Sequence, residues 1–166
     1  MKKILGIDPG TAVTGWGVLE EKDGALEALD FGCIRPKATM KLTERYRILF
    51  EGVKELIIRY KPSALAIETQ FIQKNVQSAM KLGMARGVII LAATLMGIPV
   101  FEYAPTQIKR SVTGRGQASK TQVQHMIASL LNLSTLPEPE DAADALACAI
   151  CHHHHARFKL ALAGEI

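Results

Sequence analysis

The hydrophobic period of this chain changes once, near residue 41, and that change limits the folds available to it. Before it lie three apolar runs: residues 3–8 closing on Asp8-Pro9-Gly10, residues 15–19 (Gly-Trp-Gly-Val-Leu), and residues 25–34 after the turn signal Lys22-Asp23-Gly24. Runs of this length bounded by Gly, Pro and Asp predict three strands in hairpin succession. From residue 41 to 60 the apolar positions fall on one helical stripe, with Leu42, Tyr46, Leu49, Val53, Leu56 and Ile57, and Pro62 stops the helix. Residues 64–68 (Ala-Leu-Ala-Ile-Glu) then read as a buried strand, Asn75 as the cap of a long helix reaching Gly97, and residues 99–103 as a last strand. Two shorter helices, 106–112 and 121–131, flank the loop Gly114-Arg115-Gly116, and a closing helix follows Pro137 and Pro139. A meander followed by strand–helix alternation predicts a mixed five-stranded sheet with helices on both faces, a three-layer α/β domain.

At 166 residues, 48% apolar and 22% charged, the chain has the composition of one globular domain. We place that domain at residues 1–156 and a C-terminal tail at 157–166. The first apolar run is broken by Asp8 too early for a signal-peptide core, and the twelve-residue run from 87 to 98 is shorter than the roughly 20 residues that span a bilayer. The expectation is a cytoplasmic protein with no membrane partner, in which that run is a buried helix end. Three cysteines, Cys33, Cys148 and Cys151, imply no disulfide framework in such a compartment. Cys148-x-x-Cys151-His152 matches a haem attachment pattern, but attachment requires export. Cysteines three apart on one helix also close a zinc site poorly. Residues His152 to His155 read as a polar helix end.

Charge is unevenly distributed. Between Thr69 and Pro137 the only acid is Glu102, against Lys74, Lys81, Arg86, Lys109, Arg110, Arg115 and Lys120, so this stretch carries a net +6 and the remainder −2. A basic stretch in an acidic frame attracts phosphate backbones. The acids are placed as tellingly. Asp8 ends the first strand and Glu68 the fourth, at the edge of an α/β sheet where ligands bind. Asp141 and Asp144 share a face near the start of the last helix. Four carboxylates without His or Cys make a hard oxygen site suited to Mg²⁺ or Mn²⁺, and a metal pair there would serve phosphodiester cleavage.

The residues carrying this pattern resemble a known family. Gly6-Ile7-Asp8-Pro9-Gly10 with Thr14-Gly15-Trp16-Gly17, Ala66-Ile67-Glu68, the stretch from Lys74-Asn75 through Ser78-Ala79, Lys81-Leu82-Gly83 and Ala85-Arg86-Gly87, Pro99 to Ala104, Lys120 to Met126, and Asp141-Ala142-Ala143-Asp144-Ala145-Leu146-Ala147 are together similar to the RuvC family of Holliday junction resolvases. The resemblance covers about residues 3 to 152. It implies a ribonuclease H-like fold, a homodimer and two Mg²⁺ per active site. It also implies Asp8, Glu68 and Asp141 as catalytic metal ligands and Asp144 as the fourth acid. Some family members carry His at the position of Asp141, which leaves open which side chain deprotonates water. The resemblance further implies a four-way DNA junction as substrate, nicks that leave a 3′-hydroxyl and a 5′-phosphate, a short thymine-rich preference, and partnership with the branch-migration proteins RuvA and RuvB.

By position, Phe71 resembles a family aromatic that stacks on unpaired bases, although a phenylalanine here also suits a core. Lys109 and Lys120 match basic positions near the scissile phosphate, and Lys74 and Arg115 extend the basic surface. Arg86 suits either DNA or a buried ion pair. The apolar half of the 75–97 helix exceeds what one core face needs, so it packs on a second copy of the chain or in a broad core. Two other functions compete: a related nuclease acting on RNA precursors, which lacks the 74–87 signature, and a non-catalytic junction-binding module, which has no need of four acids.

Overall fold

The computed structural model describes residues 2–69 and 75–163, with side chains through Lys159. Five strands, β1 (Lys3–Asp8), β2 (Thr14–Lys22), β3 (Ala25–Ile34), β4 (Ala64–Glu68) and β5 (Val100–Tyr103), form one sheet in the order β3-β2-β1-β4-β5. β1 runs antiparallel to β2 and parallel to β4, and β4 runs parallel to β5. The expected meander and parallel extension are both present.

Strand period divides the core. Leu5, Ile7, Val18, Leu65 and Ile67 point to the face covered by α1 (Leu42–Tyr60) and α2 (Val76–Leu95). Ile4, Leu19 and Ala66 point to the other face, packed by α3 (Pro105–Thr113), α4 (Lys120–Leu130) and α5 (Glu140–Ala163). Successive side chains alternate across a strand, so Asp8 falls on the same face as Ile4, and Glu68 on the same face as Ala66. Both carboxylates therefore lie on the α5 side.

Local signals end the helices where the sequence places them. The Asn75 side chain accepts from the Ser78 N–H at 3.2 Å. Ser119 and Gln122 cap α4 reciprocally, at 3.2 and 2.9 Å. Gly114, at φ 75°, closes α3 in the left-handed conformation that glycine adopts without strain.

Three features differ from expectation. The segment read as a tail from residue 157 continues α5 as helix to Ala163. The apolar run from 87 to 98 is buried on one face only: Ile89, Ala92 and Ala93 are fully buried, while Leu95 is 67% exposed and Leu91 about half exposed, and the exposed face continues toward the helix start through Met84, Met80 and Val76. α2 as a whole is long and apolar enough, by length and composition, to cross a bilayer. The histidine tract is only half a polar end, with His154 and His155 exposed. His152 and His153 are buried, because α5 lies across the sheet and that helical face meets β5 and β2. Tyr103 Oη and His152 Nδ1 are 2.8 Å apart, and His153 faces Glu21 at 3.8 Å.

Candidate active site

β1 and β4 pair in register, Ile7 opposite Ile67, so Asp8 and Glu68 emerge side by side at the carboxyl ends of two central parallel strands. The other two acids arrive on α5, and glycine brings that helix close. A Cβ on Gly15, the cross-strand partner of Asp8, would lie 1.9 Å from the Asp141 carbonyl oxygen. One on Gly6 would lie 2.0 Å from the Ala145 carbonyl oxygen. Missing side chains on the sheet thus let the backbone of α5 settle directly onto β1 and β2. The first turn is tied down as well, since the N–H groups of Ala142 and Ala143 both donate to the Pro139 carbonyl.

The result is concentrated negative charge in a partly dry cleft. Burial, reinforced by the charges of Asp144, Glu68 and Asp141, pushes the Asp8 carboxyl up to about 8, with Lys120 acting in the opposite sense. Glu68 is raised by burial and by Asp144, against the pull of Lys109 and Lys120. Asp144 is raised by burial and by Glu140 and Asp141, again opposed by Lys120 and Lys109. The four predicted acids therefore share one electrostatic site, and Lys109 and Lys120 are the cations that act on it.

Among the described residues, no three histidine, cysteine or carboxylate side chains close into a ready-made metal cage. The fit to a divalent cation lies in the donor set: hard oxygens only, mutually repelling, with the Asp8 carboxyl pushed up to about 8 by burial and by the neighbouring carboxylates. Asp141 also borders a cleft of about 750 Å³ that runs past Gly10 and Thr11 to Arg45, Ser78 and Lys81. Arg45 was not legible as a site residue, because it sits, half-buried, at the edge of the apolar stripe of an ordinary amphipathic helix.

The remaining predicted residues divide. Phe71 and Lys74 lie outside the described residues. Arg115 is exposed on the α3–α4 loop, beside a separate cleft lined by Thr113, Thr121, Gln122 and His125. Arg86 pairs with Glu102 across α2 and β5, a contact in which the Glu102 side chain is about half exposed. Sequence reasoning missed Glu140, whose Oε2 lies 3.2 Å from Lys120 Nζ. It also missed the reason for Gly15.

An α/β sheet with acids at adjacent strand ends, completed by two acids of a helix laid across it, defines the ribonuclease H-like class of nucleases. Comparison with known proteins narrows this. The sequence model of the family described as crossover junction endodeoxyribonuclease RuvC matches residues 4–152. The chain is 58% identical over 149 residues to the crossover junction endodeoxyribonuclease RuvC of Protochlamydia amoebophila, covering 90% of this chain and 89% of that protein. It is 47% identical over 166 residues to that of Tolumonas auensis, covering 100% of this chain and 95% of the other. Thermus thermophilus RuvC in complex with Holliday junction substrate superposes with a TM-score of 0.90 at 33% identity, over 96% of this chain and 97% of that one. The chain belongs to the RuvC family.

Proposed function

We propose that this chain is a Holliday junction resolvase that nicks two strands of like polarity by metal-dependent phosphodiester hydrolysis. One observation carries the chemistry: four carboxylates on three elements act on one another at the carboxyl edge of the sheet, where burial, reinforced by their mutual charge, pushes the Asp8 carboxyl up to about 8. Membership of the RuvC family and the likeness to a junction-bound relative support the substrate. Asp8, Glu68, Asp141 and Asp144 would hold two Mg²⁺ per subunit, with Mn²⁺ able to substitute. Ions bound there supply an activated water and stabilise the leaving oxygen.

The protein's own groups do the rest. The carboxylates, fixed by strand ends and by the close seat of α5, define where the phosphate must sit. Lys109 and Lys120 face the same site and neutralise the backbone as it enters. Lys74, Arg115 and the cleft bordered by Arg45 and Lys81 extend the grip, and Phe71 stacks on an unpaired base.

Two like strands require two sites, and α2 offers the surface for a second copy. Val76, Met80, Met84, Leu91 and Leu95 fall within one stripe of about 100°. Gly87 lies on that stripe and Gly83 just beside it, each with nothing within 4 Å of a Cβ. An exposed apolar stripe along a whole helix is the kind of surface that marks an interaction site, and a two-fold pair would bury it. Family membership supports RuvA and RuvB as partners and the cytoplasm as the compartment.

The test is cleavage of a strand-labelled four-way junction beside a linear duplex of the same sequences, with Mg²⁺ and with chelator. Paired, symmetric nicks in the junction alone are expected. Equal cutting of both substrates would reduce the activity to a general nuclease, and binding without cutting under any divalent metal would leave a junction-binding module.

A further inference from the structure

Lys120 occupies an awkward position. Its ammonium acts electrostatically on Asp8, Glu68 and Asp144 from the first residue of α4. A lysine is a point charge on a flexible four-carbon stem. Left unopposed beside a cluster of carboxylates, such a stem folds inward and its ammonium takes the place of a cation. Here it is anchored elsewhere. Lys120 Nζ donates to Glu140 Oε2 at 3.2 Å, and Glu140 is the first residue of α5, immediately before Asp141. Both partners are more than half exposed, at 65% and 53%, so the pair sits at the rim of the cleft.

We propose that Glu140 is a positioning residue that holds the Lys120 ammonium at the rim, off the carboxylates that receive the metal, and yields it to a backbone phosphate when DNA enters. The inference rests on the reading of the acids as a metal centre. A solvent-exposed ion pair is weak and easily exchanged. A phosphate oxygen accepts from an ammonium at least as strongly as a carboxylate does, and it arrives with an entire polyanionic backbone. The pair therefore keeps Lys120 near its working position, where it offsets the acids' charge from the rim without taking a cation's place among them, and opening it costs little once a phosphate is at hand. Sequence spacing also makes the contact a tertiary one: residues 120 and 140 meet only because α4 and α5 start at the same end of the molecule.

The test needs no DNA and no turnover. Mn²⁺ binding to the full-length protein, followed by electron paramagnetic resonance of the free ion, is measured for wild type, Glu140→Gln, Lys120→Met and the double variant. Glu140→Gln frees Lys120 to compete, and the Mn²⁺ dissociation constant is expected to rise roughly threefold, the scale of an exposed ion pair. In the Lys120→Met background the same substitution should have a clearly smaller effect, only what the Glu140 charge itself exerts on Asp144, and the difference between the two backgrounds is the coupling in the double-mutant cycle. An equal loss of affinity in both backgrounds would mean that Glu140 acts only through its own charge, and would overturn the proposal. So would an unchanged dissociation constant in Glu140→Gln. Wild type that binds no Mn²⁺ would overturn the metal-centre reading itself, a different failure from the other two.

Discussion

Replacing Asp8 by Asn should abolish cleavage and, without metal, make the protein more stable, and the second effect follows from the site's electrostatics. Asp8 titrates near 8 in the folded chain and near 3.8 when unfolded. Between those values the unfolded chain is ionised while the folded one keeps its proton, so folding stability falls as pH rises from about 4 to about 8, then levels off. A displacement of about 4 pKa units corresponds to at most about 6 kcal/mol. Water at the cleft mouth and relaxation of the neighbouring carboxylates reduce this, and we expect about 2 kcal/mol. Asn fills the same space without the charge. Urea denaturation in chelator should therefore find Asp8→Asn more stable than wild type by about 2 kcal/mol at pH 8, a shift of roughly 4–8 °C in Tm for a chain of this size, and equal to it at pH 4. Saturating Mg²⁺ should reverse the order, because the wild type gains binding free energy that the variant loses. A variant no more stable than wild type at pH 8, or a gain that persists at pH 4, would refute the electrostatic account of the site.

Other predictions address the scaffold and the DNA grip. Gly15→Ala places a methyl group 1.9 Å from the Asp141 carbonyl oxygen; α5 must lift, and we expect about 1–3 kcal/mol of destabilisation with a loss of at least tenfold in junction cleavage, both of which a retained Tm and rate would contradict. Leu95→Glu puts a charge into the exposed stripe of α2 and should convert a dimer to a monomer by sedimentation velocity; an unchanged sedimentation coefficient would move the interface elsewhere. Lys109→Ala should reduce the slope of log affinity against log salt by about 0.9, measured with a labelled junction in chelator, and an unchanged slope would remove Lys109 from the phosphate contacts.

Much of the site was legible because strands carry their information locally. Runs that end on Asp8 and Glu68 mark both acids as strand-end residues, and the pairing of β1 with β4 that sets them side by side is supplied by the structure. The spacing of Asp141 and Asp144 needs only a helix. What the sequence hid depends on contacts between distant segments. Gly15 reads as a weak strand residue until α5, more than a hundred residues later, lies against it. His152 and His153 read as polar until the same helix is seen crossing the sheet, where Tyr103 and Glu21 meet them. α2 posed the opposite difficulty: its composition suggests burial, yet one face is exposed among the described residues, because apolar composition alone does not record whether a face is covered.

The central claim is that the four carboxylates form the metal centre, and anomalous diffraction from crystals grown with Mn²⁺ tests it most directly. The account predicts anomalous density among Asp8, Glu68, Asp141 and Asp144 in the wild type, lost or reduced in Asp8→Asn. Density confined to other residues, or none at saturating Mn²⁺, would contradict it.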